Sequence, residues 1–396
     1  MEIGAGPALV KFNATGFPQV AAGWRCGYCN RPMSAPGRSS SNAFRLWILA
    51  LAGTALLGIG CDSGPPIPPE EAVQVPGEGK VVVFVEAPRY LAGPILKMFT
   101  DQTSIVVEAT YREEAGPAFF EQVKAAAASG KADLFWGASP LAALDLQAAG
   151  LLVPFRPTGA RPVPPQYHDR SFRWTGFVVN PRVILAHDDD AARARPPAGL
   201  EDMVEGPWAG KAILTRPAEG TAAFQAAALF AWLGASRARE FFQRVAAAGN
   251  LVVDDDAEVL RQVAAGQRAW GLIDLDRAIC AKRQGNPVSI LFPDRLGMGA
   301  VAVPEVIALL KGAPHPAQAR GLIGYLFSTD AVWAVGQNDC ALISLLPVNQ
   351  LGIPKPDWVP VLGSLNIQAI DNAKVYDAWT RDRTFLQSWP AAATAR

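Results

Sequence analysis

Four charged residues of the sequence stand where a small ligand could be bound. Asp274, Asp276 and Arg277 follow directly on a short apolar run, and Glu86 follows a β-branched run at residues 81–85. The three carboxylates, Glu86, Asp274 and Asp276, could ligate a hard metal cation. A guanidinium among them repels a bare cation and suits an anionic or zwitterionic organic ligand. These residues predict a ligand site, with a solvated turn as the alternative for the Asp–Arg stretch.

Residues that follow other predicted strands are further candidates, because ligands of open α/β sheets bind beyond the carboxyl ends of the strands. Ser139 and Thr221 stand where helices are expected to begin, and the amides of a helix N-terminus can hold an anion. Aromatic residues at strand ends could wall the pocket or serve only in packing. The predicted ligand-binding residues are Glu86, Tyr90, Tyr111, Trp136, Ser139, Thr221, Asp274, Asp276 and Arg277.

Strand and helix patterns alternate along the chain from residue 81. β-branched runs predict short buried strands, and apolar residues at helical spacing predict the helices between them. This alternation predicts an α/β fold built on a parallel sheet. Runs at residues 176–185 and 298–304 are expected to cross between two lobes. The other expected strands are 81–85, 104–110, 132–136, 212–215, 270–273 and 289–292, and the expected helices are 91–102, 118–128, 140–149, 221–232, 236–248, 257–265, 315–327 and 371–388.

The composition and motifs exclude several function classes. Half of the 396 residues are hydrophobic, 18% are charged, and the formal net charge is zero. The chain therefore has ample core and no basic footprint for nucleic acid. No nucleophile elbow, phosphate-binding loop, zinc-protease motif or dinucleotide fingerprint occurs, so we expect no enzyme and no catalytic residue. Acidic clusters at residues 188–190 and 254–256 lack a calcium-loop pattern and are expected to be solvated loops.

An export signal precedes the predicted fold. Arg38 and Arg45 supply positive charge, residues 46–60 form an apolar run too short to span a membrane comfortably, and Cys61 follows at once. This order predicts a signal peptide at residues 33–60. Cys61 after residues 58–60 resembles a bacterial lipobox, which implies lipidation of Cys61; an ordinary cleaved signal and an uncleaved anchor are the alternatives. The mature protein is therefore expected to be anchored by lipid to a membrane in the periplasm or cell envelope.

Two other segments and two cysteines complete the organisation. Residues 1–32 precede the export signal and are interpreted as a mis-called upstream extension. Residues 61–80 are rich in Pro, Gly and Glu, which predicts a flexible tether after the lipidated Cys. Cys280 and Cys340 could form a disulfide in an oxidising compartment, but we favour two unpaired buried thiols because sequence alone does not bring them together.

Several segments resemble type II periplasmic solute-binding proteins, and in particular the ferric-iron-binding branch of the extracellular solute-binding proteins. The resemblance is carried first by residues 132–136 (ADLFW) and, after a helix, 149–152 (AGLL). Further matches occur in the same order as in the family, and the resemblance extends over about residues 81–389. They lie at residues 174–177 with Arg182, at 200–202 with 208–211, at 264–266 with 271–274, and at 307–328.

The resemblance implies a two-lobed periplasmic binding protein type II fold with hinge strands between the lobes. It places lobe 1 at residues 81–175 and 294–345, lobe 2 at 176–293, and a C-terminal helical segment at 346–396. It implies a monomeric component of an ABC transporter that captures a metal, a metal complex, or an organic anion or zwitterion and passes it to the permease. It implies no cofactor beyond such a bound metal. The alternative is a non-transport sensor or partner-binding lipoprotein that retains the fold.

The iron ligands of the ferric-binding branch are replaced in this sequence. The relatives hold iron with paired tyrosines, often with a histidine and a carboxylate. Pro88 stands where the histidine would fall, Ala138 where the carboxylate would fall, and Asp276 and Arg277 where the tyrosine pair would fall. The resemblance therefore gives the fold and the cleft, and it leaves the ligand open.

Replacing Cys61 by Ser tests the lipid anchor. Because two or more acyl chains anchor a protein stably, the wild-type protein should sediment with the membranes, whereas Cys61→Ser should be released or misprocessed. Membrane fractionation with intact-mass measurement checks this. A substituted protein that stays in the membrane fraction at its original mass would show that the lipoprotein prediction is wrong.

Overall fold

The computed structural model describes residues 67–72, 75–115 and 118–390. The predicted signal peptide, Cys61 and the upstream extension lie outside these residues. Within these ranges, no helix is long and apolar enough to cross a bilayer.

Within the described residues, the fold is built on one mixed sheet of eleven strands. Eight strands form a continuous path in the order β2-β1-β3-β10-β5-β8-β6-β7, while β4 pairs with β10, and β9 and β11 pair with β5. β1 runs parallel to β2 and β3, and β6 runs parallel to β7 and β8. The strands are β1 (Lys80–Val85), β2 (Val106–Tyr111), β3 (Leu134–Gly137), β4 (Leu152–Val153), β5 (Thr175–His187), β6 (Ala212–Thr215), β7 (Leu251–Val253), β8 (Trp270–Asp274), β9 (Val288–Leu291), β10 (Ala302–Leu310) and β11 (Ile343–Ser344).

The two lobes share strand β5. Residues 175–181 of β5 pair antiparallel with β10 in lobe 1. Residues 182–186 pair antiparallel with β8 in lobe 2, and β9 pairs along the end of the same strand. β5 is buried along almost its whole length, as expected of a strand covered on both faces. The crossing strand predicted at residues 176–185 is therefore confirmed as a single strand of 13 residues.

The second crossing strand was predicted at residues 298–304, and both predicted ends of this strand are wrong. The observed strand β10 begins at Ala302. The chain turns before it, with left-handed backbone at Asp294 and Gly299. The side-chain amide of Asn366 donates to the Asp294 carbonyl at 3.4 Å and so holds the turn. Positive backbone angles do not continue a strand, which moves its start towards the C-terminus.

Helices cover the sheet, and the long predicted helices are confirmed within a few residues at each end. The elements β4, β7, β11, α2, α5, α9 and α11 were not predicted, and each has nine residues or fewer. The helices are α1 (Arg89–Thr103), α2 (Arg112–Ala115), α3 (Phe119–Ala128), α4 (Pro140–Ala148), α5 (Asp190–Ala194), α6 (Gly220–Leu233), α7 (Ala235–Ala247), α8 (Asp256–Ala264), α9 (Leu275–Arg283), α10 (Pro316–Leu326), α11 (Thr329–Gln337) and α12 (Asn372–Ser388).

The C-terminal helix α12 lies against both lobes. It packs along α6 of lobe 2. Asp382 of α12 is fully buried there and pairs with Arg239 of α7. At its start, the Tyr376 hydroxyl donates to Asp145 of α4 in lobe 1 at 2.8 Å. The end of the chain thus connects the outer helices of the two lobes.

Part of the predicted flexible tether is packed on lobe 1. Glu70 forms ion pairs with Arg156 at 3.0 Å and Arg161 at 2.7 Å. The Glu71 amide donates to the Arg156 carbonyl, and its own carbonyl accepts from Thr158. The expectation of a free tether is therefore wrong for this stretch.

Cys280 and Cys340 form a disulfide, which corrects the expectation of two unpaired thiols. Their Cα atoms lie 4.6 Å apart, although 60 residues separate them in sequence. Cys280 is on α9 of lobe 2, and Cys340 follows α11, which packs on α1 of lobe 1. Arg283 pairs with Asp339 beside the bridge at 2.7 Å. The fold brings together two segments that no local sequence pattern connects.

Removing the disulfide should lower the free energy of unfolding. A bridge closing a loop of this length restricts the unfolded chain, and the entropic contribution is on the order of 4 kcal/mol. We expect Cys280→Ser/Cys340→Ser to unfold at a lower urea concentration than the wild-type protein, and a reducing agent to shift only the wild type. Equal urea midpoints for the oxidised wild type and the double variant would contradict the bridge.

Candidate functional site

A buried arginine organises the lobe 2 side of the cleft, the region where the carboxyl ends of the lobe 1 strands face the N-termini of α6 and α9. Arg182 of β5 is only 1% exposed. One guanidinium nitrogen, Nη1, donates to Asp256 at 2.7 Å and to Asp274 at 2.8 Å. Thr221, on the first turn of α6, donates to the other Asp274 oxygen at 2.9 Å. Thr215 at the end of β6 donates to Asp256. The network joins β5, β6, α6, α8 and the start of α9.

The charges of this network shift its pKa values in opposite directions. Burial disfavours the guanidinium, but Asp256 and Asp274 outweigh it and raise the pKa of Arg182. Burial also opposes the charge of Asp256, yet Arg182 and the Thr215 hydrogen bond hold the pKa of that carboxyl below its usual range. For Asp274, burial and the negative charges of Asp256 and Asp276 prevail over Arg182 and raise the pKa to about 7.

Asp276 is held by neutral donors from the hinge and from lobe 1. Its side chain is buried and accepts from the Asn180 amide of β5 at 3.0 Å and from the Tyr90 hydroxyl of α1 at 2.6 Å. The backbone amide of Asp276 in turn donates to the side-chain oxygen Oδ1 of Asn180 at 3.2 Å. Burial and the charge of Asp276 raise the pKa of Tyr90, so the phenol stays protonated. Arg277 lies over the Tyr90 ring, 5.9 Å from its centroid.

Glu86, at the end of β1, is bound within lobe 1. One carboxylate oxygen accepts from Arg112 at 3.0 Å, and the other accepts from the Ala138 amide at 3.0 Å. Burial raises the pKa of Glu86 despite these two favourable contacts. Arg112 also pairs with Glu219, the residue before α6 of lobe 2.

Polar side-chain pairs therefore close the cleft. The Tyr90–Asp276 hydrogen bond and the Arg112–Glu219 ion pair each join lobe 1 to lobe 2. A cavity of about 700 Å³ lies away from this region, between the end of α4, β4 and the start of α12. The polar groups of the cleft, rather than a preformed cavity, mark the candidate site.

Glu305 of β10 is a cleft residue that the sequence analysis missed. It is 2% exposed and accepts from the Trp136 indole at 2.7 Å. Burial, followed by the negative charges of Asp276, Asp274 and Glu86, raises its pKa to about 8. A single acid in a strand that is otherwise apolar is costly to bury, and that signal in the run AVPEVIALL could have identified it.

The structure brings most of the predicted site residues together at the cleft. Tyr111 is an exception, because it is buried in the lobe 1 core under the guanidinium of Arg89. Ser139 is buried at the start of α4 and Trp136 lies fully inside, where it supports Glu305. The remaining predicted residues that line the cleft are Glu86, Tyr90, Thr221, Asp274, Asp276 and Arg277.

The predicted three-carboxylate metal site is not formed. Among the described residues, no three His, Cys, Asp or Glu side chains are grouped so as to hold a metal ion. Glu86 is occupied by Arg112, Asp274 by Arg182 and Asp276 by Tyr90 and Asn180. All three carboxylates therefore already accept hydrogen bonds from donors of the chain itself.

The acidic cluster at residues 254–256 is not uniformly solvated, which corrects a further expectation. Asp256 is buried against Arg182 at the start of α8, whereas Asp254 is exposed and pairs with Arg216. Asp255 caps α8 by accepting from the Glu258 amide at 2.8 Å. Nothing local distinguishes Asp256 from its neighbours, because its partner lies 74 residues away.

The comparisons with known proteins agree with this architecture. A family profile described as bacterial extracellular solute-binding protein matches residues 129–356. Iron-bound HitA from Pseudomonas aeruginosa is 19% identical and superposes with a TM-score of 0.67, covering 78% of this chain and 98% of that one. The fructose-6-phosphate-bound protein AfuA from Actinobacillus pleuropneumoniae is 17% identical with a TM-score of 0.64, over 78% and 97%. A search of curated proteins finds no match.

The chain has the two-lobed α/β fold of periplasmic binding proteins. Since the family profile matches more than half of the sequence, the chain belongs to the bacterial extracellular solute-binding proteins.

The pH dependence of stability tests the environment of Glu305. Its pKa rises from the ordinary 4.5 of an unfolded glutamate to about 8 in the folded protein. The folded state then holds the proton more tightly, so this stabilisation is complete at acid pH and is lost as the pH rises through 8. Relative to Glu305→Gln, the wild type should lose up to about 1.4 kcal/mol per pH unit between pH 5 and pH 8. Urea unfolding at several pH values measures this difference, and parallel curves would contradict it.

Proposed function

We propose that this protein is the substrate-binding component of an ABC transporter, which captures a small solute between its lobes and delivers it to the permease. We further propose that it acts in the periplasm as a lipid-anchored monomer and catalyses no reaction. Its membership of the solute-binding family supports the general role. The anchor depends on the sequence signal around Cys61.

The observation that supports capture is the nature of the contacts across the cleft. Tyr90 with Asp276 and Arg112 with Glu219 are polar pairs between side chains of opposite lobes. Side-chain contacts of this kind can be exchanged for contacts to a ligand without unfolding either lobe. The shared strand β5 keeps the lobes connected while they separate, which is the arrangement of a hinge.

The charge arrangement favours an organic ligand over a bare cation. HitA and AfuA are described with iron and with fructose-6-phosphate respectively, so similar folds hold different solutes. In this chain, a metal bound by Glu86 and Asp274 would first have to displace Arg112 and Arg182. Arg277 lies at the cleft beside Tyr90 and remains partly exposed, where it can pair with an anionic group of a solute.

A ligand screen with a structural readout tests the proposal. Ferric citrate, sugar phosphates, dicarboxylates, amino acids and polyamines are added to the purified protein while the melting temperature is recorded. A true ligand should raise the melting temperature by mass action and lower the radius of gyration in small-angle scattering as the lobes close. Arg277→Ala should reduce this response, whereas Arg261→Ala, an exposed substitution on α8, should not.

The alternative function is a sensor or partner-binding protein that retains the fold without a solute. The observation behind it is that the cleft carboxylates already have partners within the chain. If no compound raises the melting temperature and the scattering radius does not change, the transport proposal is wrong and this alternative is favoured.

A further inference from the structure

Glu305 lies where the hinge meets the cleft. Val306 pairs with Gly137, the last residue of β3, so Glu305 is the first residue of β10 beyond the carboxyl end of that strand. It pairs with Val178 of β5, in the register that pairs Val303 with Asn180. Paired residues and residues two apart project to the same face of a sheet. Glu305 therefore shares a face with Asn180, which binds Asp276.

One of the two carboxyl oxygens of Glu305 accepts a hydrogen bond from the described part of the chain. Its Oε2 atom accepts from the Trp136 indole at 2.7 Å. No side chain or amide of the described residues donates to its other oxygen, Oε1, and this atom keeps some contact with solvent. In a carboxyl that is otherwise 2% exposed, an oxygen that only solvent reaches is open to a ligand that brings its own donor. Such a group is a candidate for binding a hydrogen-bond donor of a ligand.

The charged groups that raise the pKa of Glu305 are carboxylates. Asp276 of α9, Asp274 at the end of β8 and Glu86 at the end of β1 are the charged neighbours that affect it. The arginines of the cleft lie on other groups, with Arg112 on Glu86, Arg182 on Asp274 and Arg277 over the Tyr90 ring. None of these three guanidinium groups is paired with Glu305.

We propose that Glu305 receives the protonated amino group of the solute, so that the ligand class is an organic amine or zwitterion. This inference rests on the proposed capture of a solute in the cleft. An ammonium group has three donors and one positive charge, which match a carboxyl oxygen that has no donor of its own and lies near the carboxyl groups of Asp276, Asp274 and Glu86. Metal ions fit less well, because the neighbouring carboxylates are already bound by donors of the chain.

Binding of the amine releases a proton. In the empty cleft at neutral pH, Glu305 carries a proton, because its carboxyl titrates near pH 8. The incoming ammonium replaces that proton as the positive partner of the carboxylate, and the proton leaves to solvent. The charge of the site is therefore conserved during capture, with no other reactant involved.

Calorimetry with matched pairs of compounds tests this inference. The probes are glutamate and glutarate, glucosamine 6-phosphate and glucose 6-phosphate, and putrescine and 1,4-butanediol, so that each pair differs in amino groups. We expect at least one amine to bind, and the amine-free compound of the same pair to bind at least about tenfold more weakly. At pH 6.5, titrations in two buffers of different ionisation enthalpy should show close to one proton released per amine bound.

The Glu305→Gln variant keeps an acceptor for the Trp136 indole and removes the charge. It should lose about tenfold or more in amine affinity, together with the proton release, while Glu121→Gln on the exposed face of α3 should behave as the wild type. If the variant does not fold, the proton count on the wild type alone decides.

Two outcomes separate this inference from the proposed function. Tight binding and lobe closure with ferric citrate or an amine-free anion, without proton release, would overturn the amine assignment and leave solute capture intact. Absence of binding and closure with every probe would overturn both.

Discussion

The buried ion pairs of Arg182 are the constraint on which the rest of the cleft depends. A guanidinium inside the protein is tolerated only when carboxylates compensate it, and loss of one partner from such a group typically costs about 3–5 kcal/mol. Asp256 and Asp274 provide that compensation, and Thr215 and Thr221 complete it. The requirement fixes the N-termini of α8 and α9 against β5, and the position of α9 in turn sets where Asp276 meets Tyr90.

The two sides of the cleft differ in how their charges are treated. In lobe 2, the carboxylates are balanced by an arginine that is sealed from solvent. In lobe 1, Glu86 is balanced by Arg112, which remains partly accessible and also reaches Glu219 of the other lobe. The Arg112–Glu219 pair is exposed on the Glu219 side and contributes little to stability, so it can be exchanged readily. Lobe 2 thus provides a fixed surface, and lobe 1 provides the residues that can rearrange.

Much of the fold could be predicted from local patterns, because buried strands such as residues 81–85 and 212–215 are rich in β-branched residues. The start of β10 could not, since it depends on a turn that Asn366 holds from a distant part of the chain. The Asp–Arg stretch after β8 was identified as polar residues at a strand end. The partners that decide its chemistry were not, because Asn180 lies 96 residues away in sequence from Asp276. The start of β10 and the partners of Asp276 are determined by tertiary packing and not by the spacing of residues in the sequence.

The disulfide between α9 and the segment after α11 has a consequence for how the molecule moves. Two half-cystines cannot separate by more than about 7 Å between their Cα atoms, so the lobes stay close together at that flank however far they part elsewhere. Separation of the lobes is therefore smallest at this flank, and reduction of the bridge would remove this limit on how far they can part.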